Sequence, residues 1–114
     1  MAYTYNIPDH RRGDTWDGIS SIIITSNNQP IDLTSAVIKM QLREDVDAPA
    51  VFTLTTTDST IVVTNALQGT FTIPPILVDI SFGKYLYDIQ ITFANGVVKT
   101  YVAGNWKIVA DITE

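Results

Sequence analysis

Gly83-Lys84-Tyr85-Leu86-Tyr87-Asp88-Ile89-Gln90-Ile91-Thr92-Phe93 is the stretch that decides the fold class. Tyr85, Tyr87, Ile89, Ile91 and Phe93 occupy every second position, which puts them on one face of an extended strand. Ala94-Asn95-Gly96 follows, and Asn-Gly is a strong short-range hairpin signal. In a type I′ turn both central residues need positive φ, which Asn and Gly tolerate. The expected partner strand runs from Val97 to Val102. Gly104-Asn105 then reads as a second tight turn, leading into a strand from Trp106 to Ile112.

The same two-residue period recurs upstream. Val37 to Arg43 places Ile38, Met40 and Leu42 on one side and Lys39, Gln41 and Arg43 on the other, the pattern of a half-buried antiparallel strand. Further strands are expected at Trp16 to Thr25, Val51 to Thr55, Ile61 to Thr64 and Thr70 to Ile73. Turn residues separate them at Asn27-Asn28-Gln29-Pro30, around Thr57-Asp58-Ser59, and from Asn65 to Gly69. The continuously apolar centre of the Trp16 to Thr25 segment implies burial on both faces or a bulge. Single helical turns are expected after Asp32 or Thr34, either of which can act as a cap, and at Ile76 to Ile80.

No helical period persists beyond one turn. The expectation is an all-β chain of one domain, residues 1–114, built as an antiparallel β-sandwich of about seven to nine strands. Residues 1–8 alternate Tyr3, Tyr5 and Ile7 with smaller polar positions and end at Pro8, reading as an N-terminal arm or edge strand. Tyr85 or Tyr87 is placed to form a tyrosine corner of the immunoglobulin-like kind.

Composition narrows the function. At 114 residues with 46% hydrophobic content, the chain can bury a core without covalent staples. It has no cysteine, so disulfides, thiolate metal sites and thiol nucleophiles are excluded. The net charge of −5 is modest, and the basic residues Arg11, Arg12, Lys39, Arg43, Lys84, Lys99 and Lys107 are scattered rather than striped, so no nucleic-acid partner is expected. Nothing is apolar enough for a signal peptide or a membrane span, so no membrane partner is expected and a soluble product of the cytoplasm is.

Catalytic chemistry has few footholds. His10 is the sole histidine, sits beside two arginines, and has no nucleophile elbow to serve. Glu44, Asp45 and Asp47 offer oxygen ligands of the type calcium takes, but without EF-hand spacing they read as a solvated loop. Zinc lacks ligands, and the scattered carboxylates fall in turns rather than as an obvious glycosidase pair. Arg12-Gly13-Asp14 spells an integrin-type tripeptide, for which a simple turn is the better reading. No catalytic, cofactor or metal residue is therefore assigned, and the expected protein is not an enzyme.

Three stretches carry a resemblance: Ile7-Pro8-Asp9-His10-Arg11-Arg12-Gly13-Asp14-Thr15-Trp16, then Ile31-Asp32-Leu33-Thr34-Ser35-Ala36 leading into Ile38-Lys39-Met40-Gln41-Leu42-Arg43, and Gly83-Lys84-Tyr85-Leu86-Tyr87-Asp88-Ile89-Gln90. In this order they resemble small virion proteins of tailed phages and prophages, and the chain is similar to the N-terminal domain of phage baseplate upper proteins. The resemblance implies an immunoglobulin-like sandwich serving as a non-enzymatic part of a tail, baseplate or capsid surface, located in the virion and partnered by other virion proteins. In that family the domain attaches a longer protein to the particle. Here the sequence stops at Glu114 soon after its last expected strand, so a stand-alone adaptor or decoration protein, present as a homo-oligomer or in many symmetric copies, is expected. The residues expected at the contact are Tyr3, Tyr5, Ile7, His10, Arg11, Arg12 and Asp14, with deletion of residues 1–8 expected to spare the fold and abolish assembly. The alternative function is a small carbohydrate- or receptor-binding module, which would need exposed aromatic faces such as Trp16 or Trp106.

Overall fold

The period of the 83–93 stretch sets its burial: Tyr85, Tyr87, Ile89 and Ile91 are buried, while Lys84 and Leu86 are exposed. The computed structural model describes residues 3–110, and in that range the chain is predominantly β. Its strands are β1 (Tyr3–Thr4), β2 (Ile7–Arg11), β3 (Thr15–Trp16), β4 (Ile19–Ile23), β5 (Thr25–Ser26), β6 (Gln29–Pro30), β7 (Val37–Arg43), β8 (Phe52–Thr55), β9 (Val62–Asn65), β10 (Thr70–Ile73), β11 (Ile76–Leu77), β12 (Gly83–Thr92) and β13 (Val98–Val109).

The larger sheet has the order β1-β13-β12-β7-β8, with β2 also on the outer side of β13. Apart from β1 and β2, which run parallel to β13, its pairs are antiparallel. Register brings apolar residues side by side: Tyr87 opposite Leu42, Ile89 opposite Met40, and Ile91 opposite Ile38. The smaller antiparallel sheet has the order β4-β10-β9. Phe71 and Ile73 of β10 join the β7 and β12 residues in one core, around the fully buried Trp106.

Several connections differ from expectation, each for a local reason. The segment from Trp16 to Thr25 is three short strands rather than one. Gly18 adopts φ +75°, and a Cβ there would lie 1.9 Å from the Ile73 carbonyl oxygen, so the chain swings between sheets at that point. The apolar centre then divides, with Ile24 in the core and Ile23 facing out. Asp32 caps no helix. Its carboxylate accepts from the Thr34 amide at 2.9 Å and hydroxyl at 2.5 Å, and the Ala36 amide closes a turn onto the Leu33 carbonyl. Residues 76–77 form β11, paired with β3, where a helical turn was expected. The helical turns occur instead as short 3-10 segments at Thr56–Asp58 and Ala66–Gln68.

The hairpin after β12 forms at Asn95-Gly96, with a different turn. Gly96 has φ +90° and donates to the Phe93 carbonyl, while the Phe93 amide donates to the Val97 carbonyl. Asn95 is not at positive φ. This is a three-residue loop closed by a left-handed glycine rather than the expected type I′ turn. The second turn expected at Gly104-Asn105 is absent: β13 runs unbroken through both residues. Gly104 is needed for close approach, because a Cβ there would meet the Tyr5 carbonyl oxygen at 2.0 Å.

Candidate interaction surface

The N-terminal segment uses its main chain within its own sheet. Tyr3 and Thr4 lie in register with Val102 and Ala103, and the Tyr5 amide donates to the Ala103 carbonyl at 3.0 Å. Asn6 bridges the gap between β1 and β2, its Oδ1 accepting from the Asn105 amide at 3.1 Å. Ile7, expected at a contact, is 5% exposed and belongs to the core. Tyr3 is the opposite case, with 70% of its surface open.

The residues expected to act together lie at two places. Tyr3 and Tyr5 are beside the middle of β13, while His10 to Asp14 follow its far end, where His10 and Arg11 pair with Ile108 and Val109. The loop there is internally tied. His10 Nε2 donates to the Asp14 carbonyl at 2.8 Å, and the Gly13 amide donates to the Val78 carbonyl at 2.9 Å. The Arg11 guanidinium donates to the Ala110 carbonyl at 3.2 Å. His10 thus meets a backbone oxygen and the Trp106 ring, 5.9 Å away between centroids, rather than a carboxylate. Arg12-Gly13-Asp14 forms a turn, with the Asp14 amide donating to the Arg11 carbonyl.

The two tryptophans stack on each other inside the molecule, 4.6 Å apart at 50°, and Trp106 Nε1 donates to the Pro8 carbonyl at 3.1 Å. Neither presents a face to a ligand. The acidic loop is folded back by Arg43, whose guanidinium donates to the Ala48 carbonyl at 2.6 Å. Among the described residues, no group of three or more histidines and carboxylates converges on one point, and no helix is long and apolar enough to cross a membrane.

What the fold does bring together is a groove of about 460 Å³ between the open edges of the two sheets. Residues 19 and 21–25, along β4, form one wall. Tyr3 and Tyr5 form the other, with Tyr87, Ile89, Tyr101 and Val102 beneath. Among the described residues that line it, tyrosine is the only ionisable side chain. The Tyr87 hydroxyl donates to the Tyr5 carbonyl, pinning the arm against the groove floor. Burial, reinforced by the neighbouring Tyr5 and Tyr3, pushes the Tyr87 phenol well above the ordinary tyrosine range. A second concavity, about 510 Å³, lies over the outer face of the larger sheet, with Gln41, Arg43, Asp45 and Asp88 among its lining.

β4 was not among the residues expected to make contact. The signal was in the sequence, since the run from Gly18 through Ile31 contains no charged residue. What was missing was the knowledge that β4 lies at a sheet edge. Compared with known protein families and with curated proteins, the chain matches none.

Proposed function

We propose that this chain is an immunoglobulin-like sandwich and a non-enzymatic structural component of a tailed-phage particle, joining other virion proteins through sheet-edge and loop contacts. The strand order supports the fold reading. A sheet of β8, β7, β12 and β13 opposite a sheet of β4, β10 and β9 is consistent with a variable-type immunoglobulin arrangement, in which two extra strands extend the sheet of the last two strands, β8 standing in the place of one of them. A tyrosine corner supports it too: the Tyr85 hydroxyl donates to the Ser81 carbonyl, four residues upstream, at 2.5 Å. The place in a virion rests on the three stretches that resemble phage baseplate proteins.

The observation that carries the binding role is the uncharged outer edge of β4, which among the described residues has no strand partner, beside the tyrosine-lined groove. Exposed strand edges pair with other chains unless charge, proline or a covering segment prevents it. Repeated in many symmetric copies, a modest contact of this kind gives lasting attachment. Quantitative mass spectrometry of purified phage particles from the strain carrying this sequence tests the proposal. A fixed integer ratio to the major tail or head proteins supports it, and absence from intact particles contradicts it.

The alternative is a carbohydrate-binding module, for which the exposed Tyr3 and Tyr5 offer the aromatic faces that the buried tryptophans do not. Glycan-array binding that is lost in Tyr3→Ala would favour it.

A further inference from the structure

We propose, independently of any place in a virion, that residues 3–6 form a hinged strap, which swings off β13 about Ile7 as one unit while the rest of the sandwich stays folded.

The chain is held differently on the two sides of Ile7. Ile7 itself is buried in the core. Beyond it, the Pro8 carbonyl accepts from the indole of the buried Trp106 at 3.1 Å, and His10 and Arg11 pair with Ile108 and Val109. Before it, residues 3–6 are all exposed. β1 is two residues long, and among the described residues β13 is its one strand partner. The bonds that hold the strap are polar. The Tyr5 amide donates to the Ala103 carbonyl, the Asn105 amide to Asn6 Oδ1, and the Tyr87 hydroxyl to the Tyr5 carbonyl. Segments with few buried apolar contacts and solvent-facing hydrogen bonds open at a fraction of the free energy of global unfolding.

Opening strands no polar group. Once the strap is off, water reaches the Ala103 carbonyl, the Asn105 amide and the Tyr87 hydroxyl, and each exchanges a protein partner for a solvent one. The seat is nonetheless shaped for the strap. A Cβ on Gly104 would meet the Tyr5 carbonyl oxygen at 2.0 Å and Asn6 Oδ1 at 3.1 Å, so only glycine lets the docked position form.

The movement matters because the strap belongs to both concavities. Tyr3 and Tyr5 wall the groove beside β4, while Thr4 and Asn6, on the alternate positions, line the concavity over the outer face of the larger sheet. Docking therefore completes both walls at once, and opening removes both. The strap is a gate that two surfaces share.

Hydrogen exchange read amide by amide, on the full chain in low urea, tests this. The Tyr5 and Asn105 amides should exchange through one shared opening, with protection at least about a hundredfold below that of the Ile91 amide in the central strand β12. Their exchange should be nearly independent of urea, because a short exposed strap uncovers little surface, whereas that of Ile91 should accelerate steeply. Gly104→Ala should abolish protection at Tyr5 while Ile91 stays protected, the sandwich remaining folded with its strap off. Tyr5 and Asn105 following Ile91 in protection and urea dependence would overturn the proposal, since strap and core would then be one unit. So would unequal opening of the two amides, or no protection at either in the wild type. If Gly104→Ala does not fold, the wild-type urea dependence decides alone.

Discussion

Gly104 lies directly under the main-chain carbonyl of Tyr5, so close that a methyl group on its Cα would sit 2.0 Å from that oxygen. This contact lets the N-terminal strand run along β13 as a parallel neighbour. It predicts that Gly104→Ala forces β1 away from β13, at a cost of about 1–3 kcal/mol or more for overpacking. Urea unfolding measures it. A loss within a few tenths of a kcal/mol would show that the arm does not rest there.

Removal of residues 1–8 should destabilise the domain rather than spare it. Ile7 is a core residue, and truncating a buried Ile alone costs about 2–5 kcal/mol. Residues 3–7 also supply hydrogen bonds to β13. Thermal unfolding of the truncated chain checks this, and an unchanged midpoint would mean the segment is dispensable to the fold.

Tyr87→Phe removes the hydroxyl that donates to the Tyr5 carbonyl. The expected cost near neutral pH is about 0.5–1.5 kcal/mol, the net worth of one hydrogen bond. The pH dependence follows from the raised phenol. A group whose folded pKa lies above its unfolded value contributes stability that is complete below the unfolded value, about 10 for tyrosine, and is lost as pH rises through the folded one. Wild type should therefore lose stability above about pH 10, and Tyr87→Phe should lose less over that window. Equal alkaline losses in the two proteins would contradict this.

Asp58 gives the opposite sign. Its carboxylate accepts from the Thr60 hydroxyl at 2.5 Å and amide at 3.0 Å, and these bonds hold its pKa below the ordinary value. The stability this contributes is present above the unfolded pKa and is lost as pH falls through the folded one. Asp58→Asn should accordingly destabilise at neutral pH and flatten the acid limb of a melting-temperature profile. A parallel shift at all pH values would rule out the carboxylate's charge as the cause.

Trp16 and Trp106, packed together in the core, should both resist acrylamide quenching in the native protein and become accessible on unfolding. Trp106→Ala should cost about 3–5 kcal/mol, as other large aromatic truncations in cores do. Strong quenching in the native state would contradict the packing.

The alternating stretches at 37–43 and 83–92 were legible because a period of two has one structural meaning when one face is buried. Gly104 and Gly18 were misread, the first as a turn and the second as part of a strand, because a glycine's role depends on what approaches it, and the approaching groups, Tyr5 and Ile73, are remote in sequence. The short strand at 76–77 exists because β3 is there to pair with it, a tertiary cause invisible to a local pattern. The tyrosines of the arm were readable as an alternating pair. Their union with β4 was not, since two sheet edges become the walls of one groove only after both sheets have formed.

Hydrogen–deuterium exchange on the isolated chain and on the chain within intact phage particles tests most directly whether β4 is the binding edge. The amides of residues 19–23 should gain protection in the particle, while those of residues 62–65 on the opposite edge stay unchanged. Unchanged exchange in β4, or protection appearing on β9 instead, would contradict the assignment.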